Sequence, residues 1–229
     1  MGIPNIQSYT TSRLFDLNFT LAKGLLEQYE YPWEVFPLIG QYIISIGREL
    51  PLDEYDYMGD NVWIGKTAKV AANATIAGPS IIGRGAEIRH CAYVRGNALV
   101  GEKAVVGNST ELKNVILFDQ VQVPHYNYVG DSILGHKSHM GAGAITSNVK
   151  SDKSLVVLRF GEDRIETGLR KFGAILGDGV EVGCNGVLNP GTIIGRNSVV
   201  YPLSMVRGIV PANSILKNTG EIVEKKPRE

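Results

Sequence analysis

From Ile64 onward an aliphatic or aromatic residue returns every six positions: Ile64, Val70, Ile76, Ile82, Ile88, Val94, Val100, Val106, Leu112 and Phe118. Four residues after most of these stands a small or modest side chain, at Ala68, Ala74, Ser80, Ala86, Ala92, Ala98, Ala104 and Thr110, with Ile116 and Gln122 as looser members. An α-helix requires a period near 3.6 and a half-exposed strand a period of two, so neither accommodates a strict six. A hexapeptide solenoid does: each hexad makes a short strand and a corner, three hexads make a triangular coil, and stacked coils pair their strands in parallel about 4.8 Å apart. The large residue fills the interior and the small one fits the corner. Gly65, Gly83, Gly101 and Gly107 directly follow inward residues, where a bare backbone suits a tight turn.

After Phe118 the frame breaks, which predicts a bulged loop near 119–127, and it resumes at Tyr128, Leu134, Met140 and Thr146. A second interruption, the charged stretch 149–171, carries an alternating segment from Leu155 to Phe160 that reads as a protruding hairpin. The period returns at Leu176, Val182, Leu188, Ile194, Val200 and Val206. The whole amounts to six or seven coils, on the order of 30 Å long. Residues 1–57 do not share the period. Ser12 is placed to cap a helix bearing Leu14, Leu17, Leu21 and Leu25, and Ile39, Ile43, Ile46 and Leu50 mark a second helix after Pro37. The expected organisation is an all-β solenoid with an N-terminal helical cap at 1–57, a hexapeptide β-helix at 58–212 interrupted at 149–171, and a frayed polar tail at 213–229.

Composition narrows the function classes. Twenty-three Lys and Arg balance 23 Asp and Glu, so net charge points to neither nucleic acid nor an anionic membrane surface. Cys91 and Cys184 lie far apart without CxxC spacing, and no apolar run of about 18 residues is present; a cytoplasmic protein with two free thiols is expected.

A β-helix has flat outer faces, so subunit interfaces are the natural place for a site, which favours an oligomer. Arg95 and Lys113 are 18 apart and each follows an inward residue, so both leave the same face in adjacent coils. Like charges so placed either lean apart into solvent or share an anion, which makes the pair a candidate phosphate site. Of the histidines at 90, 125, 136 and 139, His125 stands out because it lies in the frame-breaking stretch VPHYNYVGDS, where tyrosines and an asparagine replace what the period requires.

The segments VRGNALVGEKAVVGNSTELKN, HYNYVGDS, GAGAITSN and LRKFGAILGDGVEVGCNGVLNPGTIIG resemble, in that order, the acetyltransferase half of the N-acetylglucosamine-1-phosphate uridyltransferase/glucosamine-1-phosphate N-acetyltransferase family, especially its archaeal-type sugar-1-phosphate branch, over roughly residues 60–210. The resemblance implies a left-handed parallel β-helix, a homotrimer, and acetyl-CoA as co-substrate for N-acetylation of a hexosamine 1-phosphate in nucleotide-sugar biosynthesis. It implies His125 as general base, Tyr128 and Asn148 at the sugar, Arg95, Lys113 and Lys171 around its phosphate, and Ala142, His139 and Cys184 on the acetyl-CoA side. His139 stands where bacterial members carry asparagine and Val149 where they carry tyrosine, departures that bear on the choice of sugar. His136 and His139, three apart, lack the ligand spacing of the γ-class carbonic anhydrases that share this architecture, so no metal is expected.

Full-length members also carry a nucleotidyltransferase domain, and residues 1–57 hold no glycine-rich nucleotide loop with a following lysine, so that activity is not expected of this segment. Two other readings stand beside the acetyltransferase: a non-catalytic trimeric scaffold or regulatory partner of a separate sugar nucleotidyltransferase, and an acetyltransferase for another amino sugar.

Overall fold

The computed structural model describes residues 5–161 and 163–226. Its centre is the left-handed parallel β-helix, with eight rungs on the first face, eight on the second and seven on the third. That exceeds the expected six or seven coils because the ladder runs on to Ser214–Leu216, past the expected boundary at 212, while several coils use fewer than 18 residues. Ile64 pairs with Ile82 and Ile82 with Val100, 18 apart, but Val100 pairs with Leu117 and Leu117 with Leu134, 17 apart. The insertion widens the next step, Leu134 to Leu176, and Ile194 to Val210 is only 16.

The shortening has a local cause. In the third coil the corner from the third face to the first runs Arg95–Gly96–Asn97–Ala98, with Gly96 and Asn97 both left-handed at φ 94° and 49°. One rung on, Lys113–Asn114–Val115 turns the same corner with a single left-handed residue, Asn114 at φ 54°, and after that Asp131 at φ 46° does the same. Asn and Asp tolerate this region better than other non-glycine residues.

This overturns two expectations. There is no bulge at 119–127, since Gln122–His125 pairs in register with Val105–Asn108 on one side and with His139 on the other. Leu117, not Phe118, takes the inward rung position; Phe118 follows it, fully buried, and packs on Phe15 with ring centroids 4.9 Å apart. The same slip makes Val129 the inward residue and turns Tyr128 outward, opposite Glu111.

The N-terminal residues are helical but broken into short turns, of which Ile39–Gly47 is the longest α-helix. They lie lengthwise along the first face rather than over the open end of the first coil. The reason is on the solenoid: the outward residues of the first seven rungs of that face are Trp63, Ile81, Leu99, Ile116, Ile133, Ile175 and Ile193, all buried, and Ile209 on the eighth is half-buried. Burying each such side chain contributes about 1.5–3 kcal/mol, so the stripe demands a cover. Ile39–Gly47 packs over the early rungs and Pro32–Leu38 over Tyr128–Leu134, while Trp33 and Phe36 clasp Phe172 at 6.2 and 5.1 Å. Farther down, the Phe19 carbonyl accepts from Asp119 N at 3.0 Å and the Leu14 carbonyl from Asp178 N at 3.1 Å.

The insertion contains the expected hairpin, Val157–Phe160 against Asp163–Glu166, but it folds back instead of protruding. Val156, Leu158 and Phe160 are buried, Phe160 sits 5.5 Å from the Tyr9 ring, and a Cβ on Gly191 would meet Val156 Cγ1 at 2.7 Å. The tail is not frayed through its described part: Ile222–Glu224 pairs antiparallel with Ser214–Leu216. Tyr55–Tyr57 does the same for Val62–Gly65, so each end of the ladder has one edge blocked by a reversed strand. No helix among the described residues is long and apolar enough to cross a membrane.

If the N-terminal segment is held by the apolar stripe, Ile133→Ala destabilises by about 2–5 kcal/mol. At a few degrees per kcal/mol for a chain of this size, the thermal midpoint falls by roughly 5–15 °C. Gln122→Ala, outward on the uncovered second face, leaves the midpoint within about 2 °C. Equal shifts in the two melting curves would refute the assignment of the cover.

Candidate active site

The outward side chains of the third face form columns, because each rung places its residue directly over the next. Glu111 stands between Tyr93 and Tyr128 in register, and Arg95 donates its backbone N–H to the Leu112 carbonyl at 2.8 Å, which sets it beside Lys113 in adjacent coils as the spacing predicts. The two cations do not face each other bare. Arg95 Nη1 lies 2.7 Å from Glu111 Oε1, with its Cζ 6.0 Å from the Tyr93 ring centroid. Lys113 Nζ lies 3.4 Å from Asp131 Oδ2.

Asp131 organises this corner. It is 4% exposed and accepts from Lys113, from Asn114 Nδ2 at 3.0 Å and from Asn148 Nδ2. Asn148 Nδ2 also donates to Tyr128 Oη at 3.3 Å. Gly130 leaves the space for this pair, since a Cβ there would meet Tyr128 Oη at 2.6 Å and Asn148 Nδ2 at 2.9 Å. Burial, with the carboxylates of Asp131 and Glu111 nearby, pushes the Tyr128 phenol above its ordinary range, so it is an un-ionised hydroxyl throughout neutral pH. Lys171 reaches the same corner through the chain: its backbone bridges Val149, and Phe172 N donates to the Asn148 carbonyl at 3.0 Å. Arg95, Lys113, Tyr128, Asn148 and Lys171 thus gather where the third face turns into the first.

His125 stands at the other edge, on the corner between the second and third faces. Rung steps of 17 and then 42 place Ala142 and Cys184 at the positions below it, so the three form one column. The column is pinned by Asn127, 2% exposed, whose Oδ1 accepts from His125 N at 3.0 Å and whose Nδ2 donates to the carbonyls of Gly141 at 2.8 Å and Ala144 at 3.0 Å. Gly143 N donates to the His125 carbonyl at 3.0 Å and Asn185 N to the Ala142 carbonyl at 2.8 Å, whereas the Ala142 N–H has no acceptor among the described residues. His139 lies on the second face, its Nδ1 3.2 Å from Glu181 Oε2. Within one chain, therefore, the His125–Ala142–Cys184 column is separated from the Arg95–Lys113–Asn148 corner by the width of the third face.

The remaining histidines have structural partners: His90 Nδ1 is 3.1 Å from Asn73 Oδ1, and His136 stacks on Phe19 at 3.8 Å with Nδ1 2.9 Å from the Asp119 carbonyl. Among the described residues no group of three or more His, Cys, Asp or Glu gathers to hold a metal. Glu111, Asp131, Asn114 and Asn127 contact the candidate residues and were not singled out by the sequence reading. Asp131 had a signal, lying 18 residues after Lys113 as Lys113 does after Arg95.

Removing Asp131 leaves a half-buried ammonium unpaired and takes one acceptor from each of two amides, Asn114 keeping the Phe36 carbonyl and Asn148 the Tyr128 hydroxyl. Asp131→Ala is expected to cost about 3 kcal/mol, the low end for a broken buried pair because Lys113 keeps some solvent. Adding Lys113→Ala recovers part of the loss in urea denaturation. A single variant within about 0.5 kcal/mol of wild type contradicts this role.

The model of the GMPPB C-terminal domain matches residues 76–209. Over 196 residues the chain is 34% identical to the bifunctional protein GlmU of Methanococcus aeolicus, covering 78% of this chain and 47% of that protein. Over 101 residues it is 35% identical to the bifunctional sugar-1-phosphate nucleotidylyltransferase/acetyltransferase of Sulfurisphaera tokodaii, covering 44% of this chain and 25% of the relative. The structure of the polySia-specific acetyltransferase NeuO aligns with a TM-score of 0.40 at 14% identity, covering 74% of this chain and 90% of that chain. The chain spans about half the length of the first of these curated relatives. The resemblance of the motifs to the acetyltransferase half of such bifunctional proteins holds, and with well over half of its residues inside the matched model the chain belongs to the GMPPB C-terminal domain family.

Proposed function

We propose that this chain is an acetyl-CoA-dependent N-acetyltransferase acting on a hexosamine 1-phosphate, glucosamine or galactosamine 1-phosphate, as a cytoplasmic homotrimer. The observation that carries the reading is the pair of residue sets on opposite edges of one face, each incomplete alone: cations with a sugar-sized polar corner, and a solvent-accessible histidine over an unpaired backbone N–H. A neighbouring copy whose His125 column meets this corner would complete the site, which is the reason for the trimer.

In this arrangement the sugar phosphate draws Arg95 away from Glu111. That pair is well exposed, so solvent screens it and its loss costs little. Lys113 stays fixed on Asp131 and offers its remaining N–H donors, while Tyr128 and Asn148 orient the sugar hydroxyls. With the amine held near the thioester, the neutral imidazole of His125 takes a proton as the nitrogen attacks the carbonyl carbon. The Ala142 N–H meets the oxyanion that develops. Collapse of the tetrahedral adduct expels the CoA thiolate, which takes up a proton, and leaves the amide.

Release of CoA measured with glucosamine 1-phosphate, galactosamine 1-phosphate and a nucleotide-linked amino sugar tests this. Turnover on a sugar 1-phosphate is expected to fall by about two orders of magnitude or more in His125→Ala. Because the two sets come from different copies, co-refolding inactive His125→Ala with inactive Lys113→Ala is expected to restore about a quarter of the sites by random assortment. A folded oligomer with no turnover on any acceptor would move the scaffold reading forward. Absence of recovery in the mixed trimers would place the site within one chain.

A further inference from the structure

A second site lies beside the sugar-phosphate corner. Between the folded-back hairpin and the third-to-first corner of the last three rungs is a cleft of ≈ 560 Å³. Ser147 and Val149, the neighbours of Asn148, form its upper wall, and Arg207 and Gly208 its lower one. The lining combines apolar and cationic groups: Val156 and Leu158 are buried beneath it, while Lys150, Arg159, Arg164 and Arg207 stand against a single carboxylate, Asp152.

Among the described side chains the charge is only partly met. Lys150 lies 3.8 Å from Asp152 and Arg164 3.4 Å from Glu166, both pairs largely exposed. Among the residues whose side chains are described, neither Arg159 nor Arg207 has a carboxylate within ion-pairing distance. Arg159 is also the direct cross-strand partner of Arg164 in the hairpin. Like charges directly opposite on an antiparallel pair destabilise it unless an anion lies between or beside them. Two guanidinium forks at one rim, with Arg207 across from them, match phosphate oxygens bidentately. The volume falls in the range of small-molecule sites, and an apolar floor with few charged groups suits a heteroaromatic base.

We propose that this cleft binds the nucleoside-diphosphate part of a substrate whose reacting end lies at the Lys113–Asn148 corner. The naming of the substrates rests on the acetyltransferase reading above; the binding chemistry does not. Two substrates carry such a group: the 3′-phosphorylated ADP end of CoA, and the nucleoside diphosphate of a nucleotide-linked amino sugar. The cleft opens one rung beyond Asn148, so a ligand running along the corner column reaches both places at once.

Calorimetric titration of the full chain with 3′,5′-ADP, UDP, GDP and inorganic phosphate tests the proposal, with CoA and dephospho-CoA compared in parallel. At least one nucleotide is expected to bind tenfold or more tightly than inorganic phosphate. The double variant Arg159→Ala/Arg207→Ala, both exposed positions, is expected to weaken it at least tenfold, and added salt to weaken the wild type more than the variant. Preference for 3′,5′-ADP and for CoA over dephospho-CoA assigns the cleft to CoA; preference for UDP or GDP assigns it to a nucleotide sugar. Nucleotide affinity no better than that of phosphate, or unchanged in the double variant, overturns the proposal. Titration of His125→Ala separates this outcome from failure of the acetyltransferase reading, since binding at the cleft is expected unchanged there even if no acceptor is ever turned over.

Discussion

The parallel backbone ladder is what everything else in this molecule depends on. Each rung hands its N–H and C=O groups to the next, so a residue's neighbour is fixed by a sequence step of 16 to 18, or 42 across the insertion, and not by side-chain choice. Corners therefore become columns. His125, Ala142 and Cys184 stand in one because Gln122 pairs with His139 and His139 with Glu181; no special loop holds them. A site assembled this way inherits the rigidity of the sheet, and its geometry changes only where the ladder itself gains or loses a residue.

The gains and losses fall at one place. The third-to-first corner gives up a residue at Lys113–Asn114–Val115, gives up another at Gly130–Asp131–Ser132, and then takes in the long insertion after Asn148. Trimming draws Asp131 inward until its carboxylate is enclosed by Lys113, Asn114 and Asn148. A buried carboxylate persists when donors surround it, and here the donors are candidate ligands for a sugar phosphate. The N-terminal cover joins in, since Asn114 Nδ2 also reaches the Phe36 carbonyl at 3.3 Å. The segment that shields the apolar stripe thus also braces the candidate site.

The period of six made the solenoid legible because inward positions are decided by burial alone, and burial shows in every hexad. The slip was not legible in the same way. Phe118 and Tyr128 fit the frame as hydrophobic residues, yet one sits a step past its rung and the other faces out, because a corner that loses a residue keeps its polar appearance. The cover on the first face had a sequence sign that was overlooked: Trp63, Ile81, Leu99 and Ile116 precede an inward residue, where an exposed face carries Lys69 or Glu87. Chemistry-bearing residues were found by their departure from the period, and Asp131 and Glu111 were missed because a carboxylate at a corner looks like ordinary surface.

In the proposed site, the distribution of negative charge would give the phosphate corner its selectivity. Arg95 is held by an exposed glutamate and Lys113 by a buried aspartate, so an arriving anion displaces the first easily and the second hardly at all. One cation is exchangeable and one is structural. A phosphomonoester that engages the mobile Arg95 while accepting the spare donors of Lys113 gains both contacts without exposing Asp131. A ligand without that second acceptor must leave Lys113 wholly to Asp131 and gains only the screened one. Under the proposed function the buried carboxylate would discriminate by geometry, keeping the ammonium at a fixed distance from the Tyr128–Asn148 pair and disfavouring anions too small to span from there to Arg95.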